Sequence, residues 1–151
     1  MTALERQGTN ANIWVGGEAL IVTTLRRCHA AYSRGDFEDA ATALHPDIEL
    51  VPAGGQPPIS GIEAVRTWMG PDAFAEQVLE MIDIWVAGNQ ALVQVHARVR
   101  GATSGIELQF DAWTVWTFNA YGLAIRAEIY LDREQVSGFV ANCWTAGSKM
   151  V

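Results

Sequence analysis

The chain has 151 residues, half of them hydrophobic, and a formal charge of −7 at neutral pH. That length suits one domain with its own core and is short for two. Its ten Lys and Arg residues are thinly spread, which argues against nucleic acid or an anionic membrane as a partner, since phosphate binding needs clustered basic side chains.

The apolar runs are broken by charge and fall short of the roughly 20 residues a membrane-spanning helix needs. Cys28 and Cys143 show no metal-site spacing, and the opening residues do not read as a signal peptide. A cytoplasmic protein with reduced thiols is expected.

In chain order, residues 1–17 read as a polar N-terminal arm, with Ile13, Trp14 and Val15 its one apolar stretch. Residues 18–142 carry the domain. A helix is predicted from Glu18 to Ser33 and ends at Arg34-Gly35. Asp36 is the expected N-cap of a short second helix running to Leu44, stopped by His45-Pro46-Asp47. A brief strand, Ile48 to Val51, leads into the turn-rich loop AGGQPPISG. Ser60 is expected to cap a third helix, Ile62 to Met69, with Ile62, Val65, Trp68 and Met69 inward. Pro71 and Asp72 break the chain before a strand from Gln77 to Val86.

Two long strands follow, Gln90 to Arg100 and Glu107 to Thr117, joined by the turn GATSG. After the turn Asn119 to Gly122, a last strand from Leu123 to Leu131 is expected to align Ile125, Ala127, Ile129 and Leu131 on one apolar face. Asp132 caps a closing helix with Gln135 in the capping-box position and Val136, Phe139 and Val140 packed, and residues 143–151 form a tail expected to fray. Helices followed by a strand meander give an α+β fold: three N-terminal helices on a strongly curved, mainly antiparallel sheet, with a short C-terminal helix.

The central hairpin separates its residues by parity. Gln90, Leu92, Gln94, His96, Arg98 and Arg100 share one face with Glu107, Gln109, Asp111 and Trp113, while Val93, Val95, Val99, Phe110 and Trp116 take the other. Two orientations are open. Either the polar face is a wetted surface over a valine-lined core, or it lines a pocket and the valines are covered by a second subunit.

The segments AAYSRGDFEDAATALHPDIEL, SGIEAVRTWM and EIYLDREQV, in that order around a meander, resemble the nuclear transport factor 2-like superfamily, in particular its SnoaL-like (polyketide cyclase-like) branch. The resemblance implies a cone of helices closed over a bent sheet, with an internal pocket and a homodimer formed through the outer sheet faces. It further implies a small apolar or aromatic molecule as ligand. Ketosteroid isomerases, epoxide hydrolases, dehydratases and cyclases share this fold, as do proteins that only bind. Asp111 resembles the oxyanion-hole aspartate of the isomerases. Their catalytic tyrosine falls on Cys28 and their proton-shuttling aspartate on Pro52. The Arg-x-Asp pair of the epoxide hydrolases falls on His96 and Arg98, and their second aspartate on Ile129. Glu80 stands where relatives carry a pocket histidine.

On the pocket orientation, His96 is the candidate base, oriented by Asp111, with Arg98 steadying negative charge on a carbonyl oxygen. Trp113, Trp68, Glu80, Ile129, Cys28 and Tyr32 are candidate pocket residues. Trp85 and Trp116 are expected on the outer face, His29 on the surface and His45 at a helix end. The Gly54-Gly55 loop lacks the Lys-Ser/Thr of a phosphate cradle, and neither cofactor nor metal is expected. The expected function is cofactor-free acid/base chemistry (isomerisation, cyclisation or dehydration) on a small apolar carbonyl compound. The alternative is a non-catalytic dimeric binding protein for a small hydrophobic ligand.

Overall fold

The structure, a computed structural model, describes residues 17–70, 74–146 and 149–150. The N-terminal arm and the Pro71-Asp72 break lie outside the described residues. Helix α1 spans Gly17–Ser33, α2 Phe37–Ala41 and α3 Ile62–Met69; strands β1 to β6 span Leu44–Val51, Ile59–Ser60, Phe74–Ala87, Gln90–Gly101, Glu107–Phe118 and Ala124–Tyr130. A 3-10 turn, Arg133–Val136, leads into α4, Ser137–Ala146, and β7 is Lys149–Met150. The sheet runs in the order β2-β1-β6-β5-β4-β3-β7, with β1 and β6 parallel and the other pairs antiparallel.

The expected α+β architecture holds, and the boundary differences have local causes. Gly35, at φ +80°, ends α1 in a conformation that side chains resist. Asp36 caps α2 by accepting from the Asp39 N–H at 3.0 Å, but α2 stops at Ala41. The stretch expected to end it is already strand: Pro46, which has no N–H to give a ladder, sits where the β1–β6 pairing skips from Leu44 to Glu49. Ser60 does not cap α3. It pairs with Glu49 in β2, and Gly61, at φ +92°, takes the cap position without a side-chain bond. In β6 a register shift between the Arg126 and Ala124 pairings leaves Ile125 out, so Ala124 takes its place beside the expected Ala127 and Ile129 on the inward side. Asp132 caps the closing turn by accepting from the Glu134 N–H at 3.0 Å.

The core lies between α1 and the sheet. Ile21 and Leu25 on α1, Val65 on α3 and Phe118 pack with Ala91, Val93, Val95 and Ala112 of the hairpin, all buried. A smaller cluster of Cys28, Ala31, Tyr32, Phe37 and Ala40 joins α1 to α2. On the opposite sheet face Val136, with Phe139 and Val140, covers Trp85, Leu92 and Val115.

The aliphatic side of the hairpin is therefore the one beneath the helices. The pocket orientation of the polar face is corrected, and Val93 and Val95 need no second subunit to cover them, because α1 packs on them. Leu25→Ala should cost about 2–5 kcal/mol in urea unfolding, as a buried large-to-small change does. Leu131→Ala, at an exposed position, should stay within about 0.5 kcal/mol.

Candidate functional site

The sheet divides the residues expected in one pocket between two faces. On the outer face, His96 and Asp111 are directly paired across β4 and β5, and the His96 Nδ1 to Asp111 Oδ1 distance is 2.7 Å. His96 Nε2 stands 3.0 Å from Gln109 Oε1, and the Gln109 amide donates to Glu107 at 3.0 Å. Gln94 donates to Asp111 at 3.3 Å. With the Gln109 amide turned toward Glu107, both imidazole nitrogens face oxygen atoms, an arrangement that suits the protonated ring. The hydrogen bonds to Asp111 and then Gln109 raise the His96 pKa above 6.5.

His96 and Asp111 do meet as the sequence predicted, but in the open, with side chains 37% and 40% exposed. They border a groove of about 580 Å³ shared with Glu80, Arg98, Gln109, Val78 and the α1 residues Ala30 and Ser33. Trp113 lies on this same outer side, against the Trp85 and Leu92 cluster, and Trp68 projects from α3 with 43% of its surface exposed.

The inner face holds the rest. Ile129 packs on the main core, while Cys28 and Tyr32 are buried between α1 and α2. The Cys28 thiol donates to Ala40 O at 3.5 Å and the Tyr32 hydroxyl to Met69 O at 3.3 Å. Burial pushes both pKa values up to about 12, with the Asp39 charge adding to the effect on Cys28. Neither ionises near neutral pH.

Between them stands a residue the sequence reading placed on the surface. His29 is 8% exposed. Its Nδ1 lies 2.8 Å from Leu25 O; a carbonyl only accepts, so Nδ1 carries the proton. Burial lowers its pKa below 6.5, against a smaller opposing effect of the Leu25 bond. The ring is neutral at pH 7, and its Nε2, the basic nitrogen, has no hydrogen-bond partner among the described residues. The ring meets Trp116 edge-on, with centroids 6.0 Å apart. Trp116, expected on the outer face with Trp85, points beneath the helices, and its Nε1–H is buried without an acceptor. Trp85 does lie outside.

On the inner side of the sheet Trp116, Ile129, Met81 and Met69 are partly buried and pack against the main core. The signal for His29 was present in the sequence: Ile21, Leu25, Cys28, His29 and Tyr32 recur at one-helix-face spacing. His45 is in β1 rather than at a helix end, its Nδ1 accepting from the Asp47 N–H at 2.9 Å. Among the described residues no cluster of three His, Cys, Asp or Glu side chains is placed to hold a metal ion, and no helix is long and apolar enough to cross a membrane.

A curved, unclosed sheet roofed by N-terminal helices, with polar atoms unmet on its inner side, defines a cone of the NTF2-like class. Within that class the chain belongs to the SnoaL-like domain family, which it matches over residues 25–127. It is similar to an NTF2-like protein of unknown function from Burkholderia pseudomallei K96243, at 23% identity and TM-score 0.65, covering 78% of this chain and 95% of that one. A protein from Jannaschia sp. CCS1 described as a SnoaL-like polyketide cyclase shows 16% identity and TM-score 0.66, with 79% and 90% covered. A Mycobacterium tuberculosis protein in complex with estradiol-17beta-hemisuccinate shows 13% identity and TM-score 0.66, with 76% and 95% covered. At these identities the likeness is one of fold. No curated protein is significantly similar to the chain.

The two histidines should titrate on opposite sides of 6.5 by NMR, His96 above and His29 below. A raised folded pKa stabilises fully below the unfolded value and ceases to do so as pH rises through the folded one. The stability lost in His96→Gln should therefore be largest in acid and vanish in alkali. For His29 the sign reverses. Between its lowered folded pKa and 6.5 the unfolded chain binds the extra proton, so stability rises with pH there, and His29→Gln should flatten that rise.

Proposed function

We propose that the chain takes a small, mainly apolar carbonyl compound into the inner side of the cone and moves a proton on it, with His29 as base and Trp116 as hydrogen-bond donor. His29 Nε2 removes a proton from the carbon next to the carbonyl, becoming imidazolium. The negative charge that develops on the oxygen is met by the Trp116 Nε1–H. Return of the proton to another carbon completes an isomerisation, and loss of a hydroxide equivalent or attack on a second carbonyl completes a dehydration or a cyclisation.

One observation carries this reading: a neutral, tautomer-fixed histidine and an unpartnered, buried indole N–H lie in ring contact on the inner side of the sheet. A buried donor left without an acceptor costs on the order of 1–3 kcal/mol, which a ligand oxygen would relieve. The His96, Asp111 and Arg98 cluster, expected to be catalytic, is left out because it lies on an open face and its hydrogen bonds favour the protonated imidazole.

A second reading is non-catalytic binding of a small hydrophobic molecule. It is favoured by the lack of a second proton carrier: among the described residues the other buried titratable groups, Cys28 and Tyr32, stay protonated up to about 12.

Both readings are tested by following solvent deuterium exchange into small cyclic and aromatic ketones by NMR. Exchange should be lost in His29→Gln and fall roughly 100-fold or more in Trp116→Phe, the usual cost of one oxyanion donor, while His96→Gln leaves it unchanged. Saturable binding without exchange selects the binding protein. Exchange that survives His29→Gln removes the histidine from the mechanism.

A further inference from the structure

One buried polar side chain is left unexplained by the fold. Gln77, on β3, is 4% exposed. It shares the inner side of the sheet with Leu79, two residues on, which packs against the Cys28 and Tyr32 cluster. Its amide nitrogen donates to Tyr32 O at 3.5 Å, and its Oε1 is buried without a hydrogen-bond partner. A carbonyl only accepts, so the nitrogen is the end turned to Tyr32 and the oxygen is the end left over.

The fold gains little from this arrangement. Tyr32 O already accepts from the Gly35 N–H at 3.0 Å, so the long Gln77 bond serves a carbonyl that is otherwise met. The polar side chains beside it are satisfied within the chain: the Tyr32 hydroxyl donates to Met69 O at 3.3 Å, and Ser33 Oγ accepts from the Leu79 N–H at 2.8 Å. A buried acceptor without a donor opposes folding, whereas an apolar side chain of the same size does not. A position that keeps such a group against the interest of the fold is one where a ligand is expected to meet it.

The neighbours of Gln77 define that ligand. Val99 stands opposite Gln77 on β4, and Leu108 opposite Val99 on β5, so the three form one row across the inner side. Leu79, Ala97 and Phe110 form the next row in the same way. Strands lie about 4.8 Å apart, which makes each row roughly 10 Å wide, the width of a small ring system. Leu108 and Phe110 are 58% and 42% exposed. The rows are thus an apolar surface, open on the β5 side, that ends at a buried acceptor. Helix α1 links this place to the proposed base: His29 meets Trp116, and Tyr32, one turn later, meets Gln77. Trp116 stands opposite Ala91, at the start of β4, and Gln77 opposite Val99, near its end. The two unmet atoms therefore face opposite ends of a bound molecule.

We infer that Gln77 Oε1 accepts a hydrogen bond from a hydroxyl group of the ligand, and so selects apolar ring compounds that carry a hydroxyl at the end remote from the carbonyl. The inference rests on the reading that the ligand enters the inner side of the cone. It makes Gln77 a residue of specificity and gives it no part in the proton transfer.

The test measures binding at pH 7, by calorimetric titration and ligand-observed NMR, for a cyclohexanone carrying a para-hydroxyphenyl group opposite its carbonyl, for the para-methoxyphenyl analogue and for the plain phenyl analogue. The phenol is not conjugated with the ketone, so it leaves enolisation unchanged. The native chain should bind the phenol roughly tenfold or more tighter than either analogue, since both leave the buried acceptor unmet. Gln77→Leu should abolish that preference without weakening the plain phenyl compound, and its thermal melt should hold or rise. A lower melt shows the amide to be structural and overturns the inference. So does a preference that survives Gln77→Leu, a native chain without preference, or no binding of any of the compounds at millimolar concentration. Solvent deuterium exchange into the plain phenyl compound, which lacks the hydroxyl, reports separately on His29. Preference lost in Gln77→Leu with no exchange keeps Gln77 and removes the catalytic reading, and exchange without preference does the opposite.

Discussion

Burial of one side of the β4–β5 hairpin beneath α1 governs the rest of the molecule. Side chains alternate along a strand, so the choice of which face meets Ile21 and Leu25 is made once for every residue of the hairpin. Ala91, Val93, Val95 and Ala112 take the inner side. Each large aliphatic side chain so buried contributes on the order of 1.5–3 kcal/mol, whereas enclosing His96, Arg98 and Asp111 there would require desolvating three charged groups. The hydrophobic term has no competitor on the other side, and the charged residues are left in water.

That single orientation separates the two histidines into opposite chemical states. His96, on the outer face, is surrounded by Asp111, Gln109 and Glu107, acceptors that hold its proton. His29, on the inner side of α1, has one backbone carbonyl and an apolar surround that excludes charge. The same side chain has its charged form favoured in one place and its neutral form favoured in the other. The histidine with the more suggestive neighbours in sequence is the less suited to accept a proton.

The fold and the chemistry are only loosely tied in this class. Of the positions that the resemblance aligns with catalytic groups, three hold Cys28, Pro52 and Ile129, which do no proton transfer at neutral pH, and Asp111, His96 and Arg98 stand on the outer face. What the inner face offers instead is its own arrangement: an imidazole on α1 and an indole on β5, each with an unmet polar atom. Because α1 and β5 are rigid elements, the two rings are held at a set separation without help from a loop.

Sequence by itself determined the element order, the α1 and α3 helices, the hairpin turns and the parity of the long strands, because periodicity, caps and glycine or proline positions act within a few residues. It also put His96 and Asp111 on one hairpin face by parity, while their direct pairing is set by the strand register. It missed the Pro46 strand and the β6 shift, where partner strands decide the pairing. Only the tertiary structure decided which hairpin face is inside, that Trp116 points beneath the helices and that His29 is buried. Those facts depend on how α1 docks on the sheet, a contact between segments distant in sequence that local pattern does not encode.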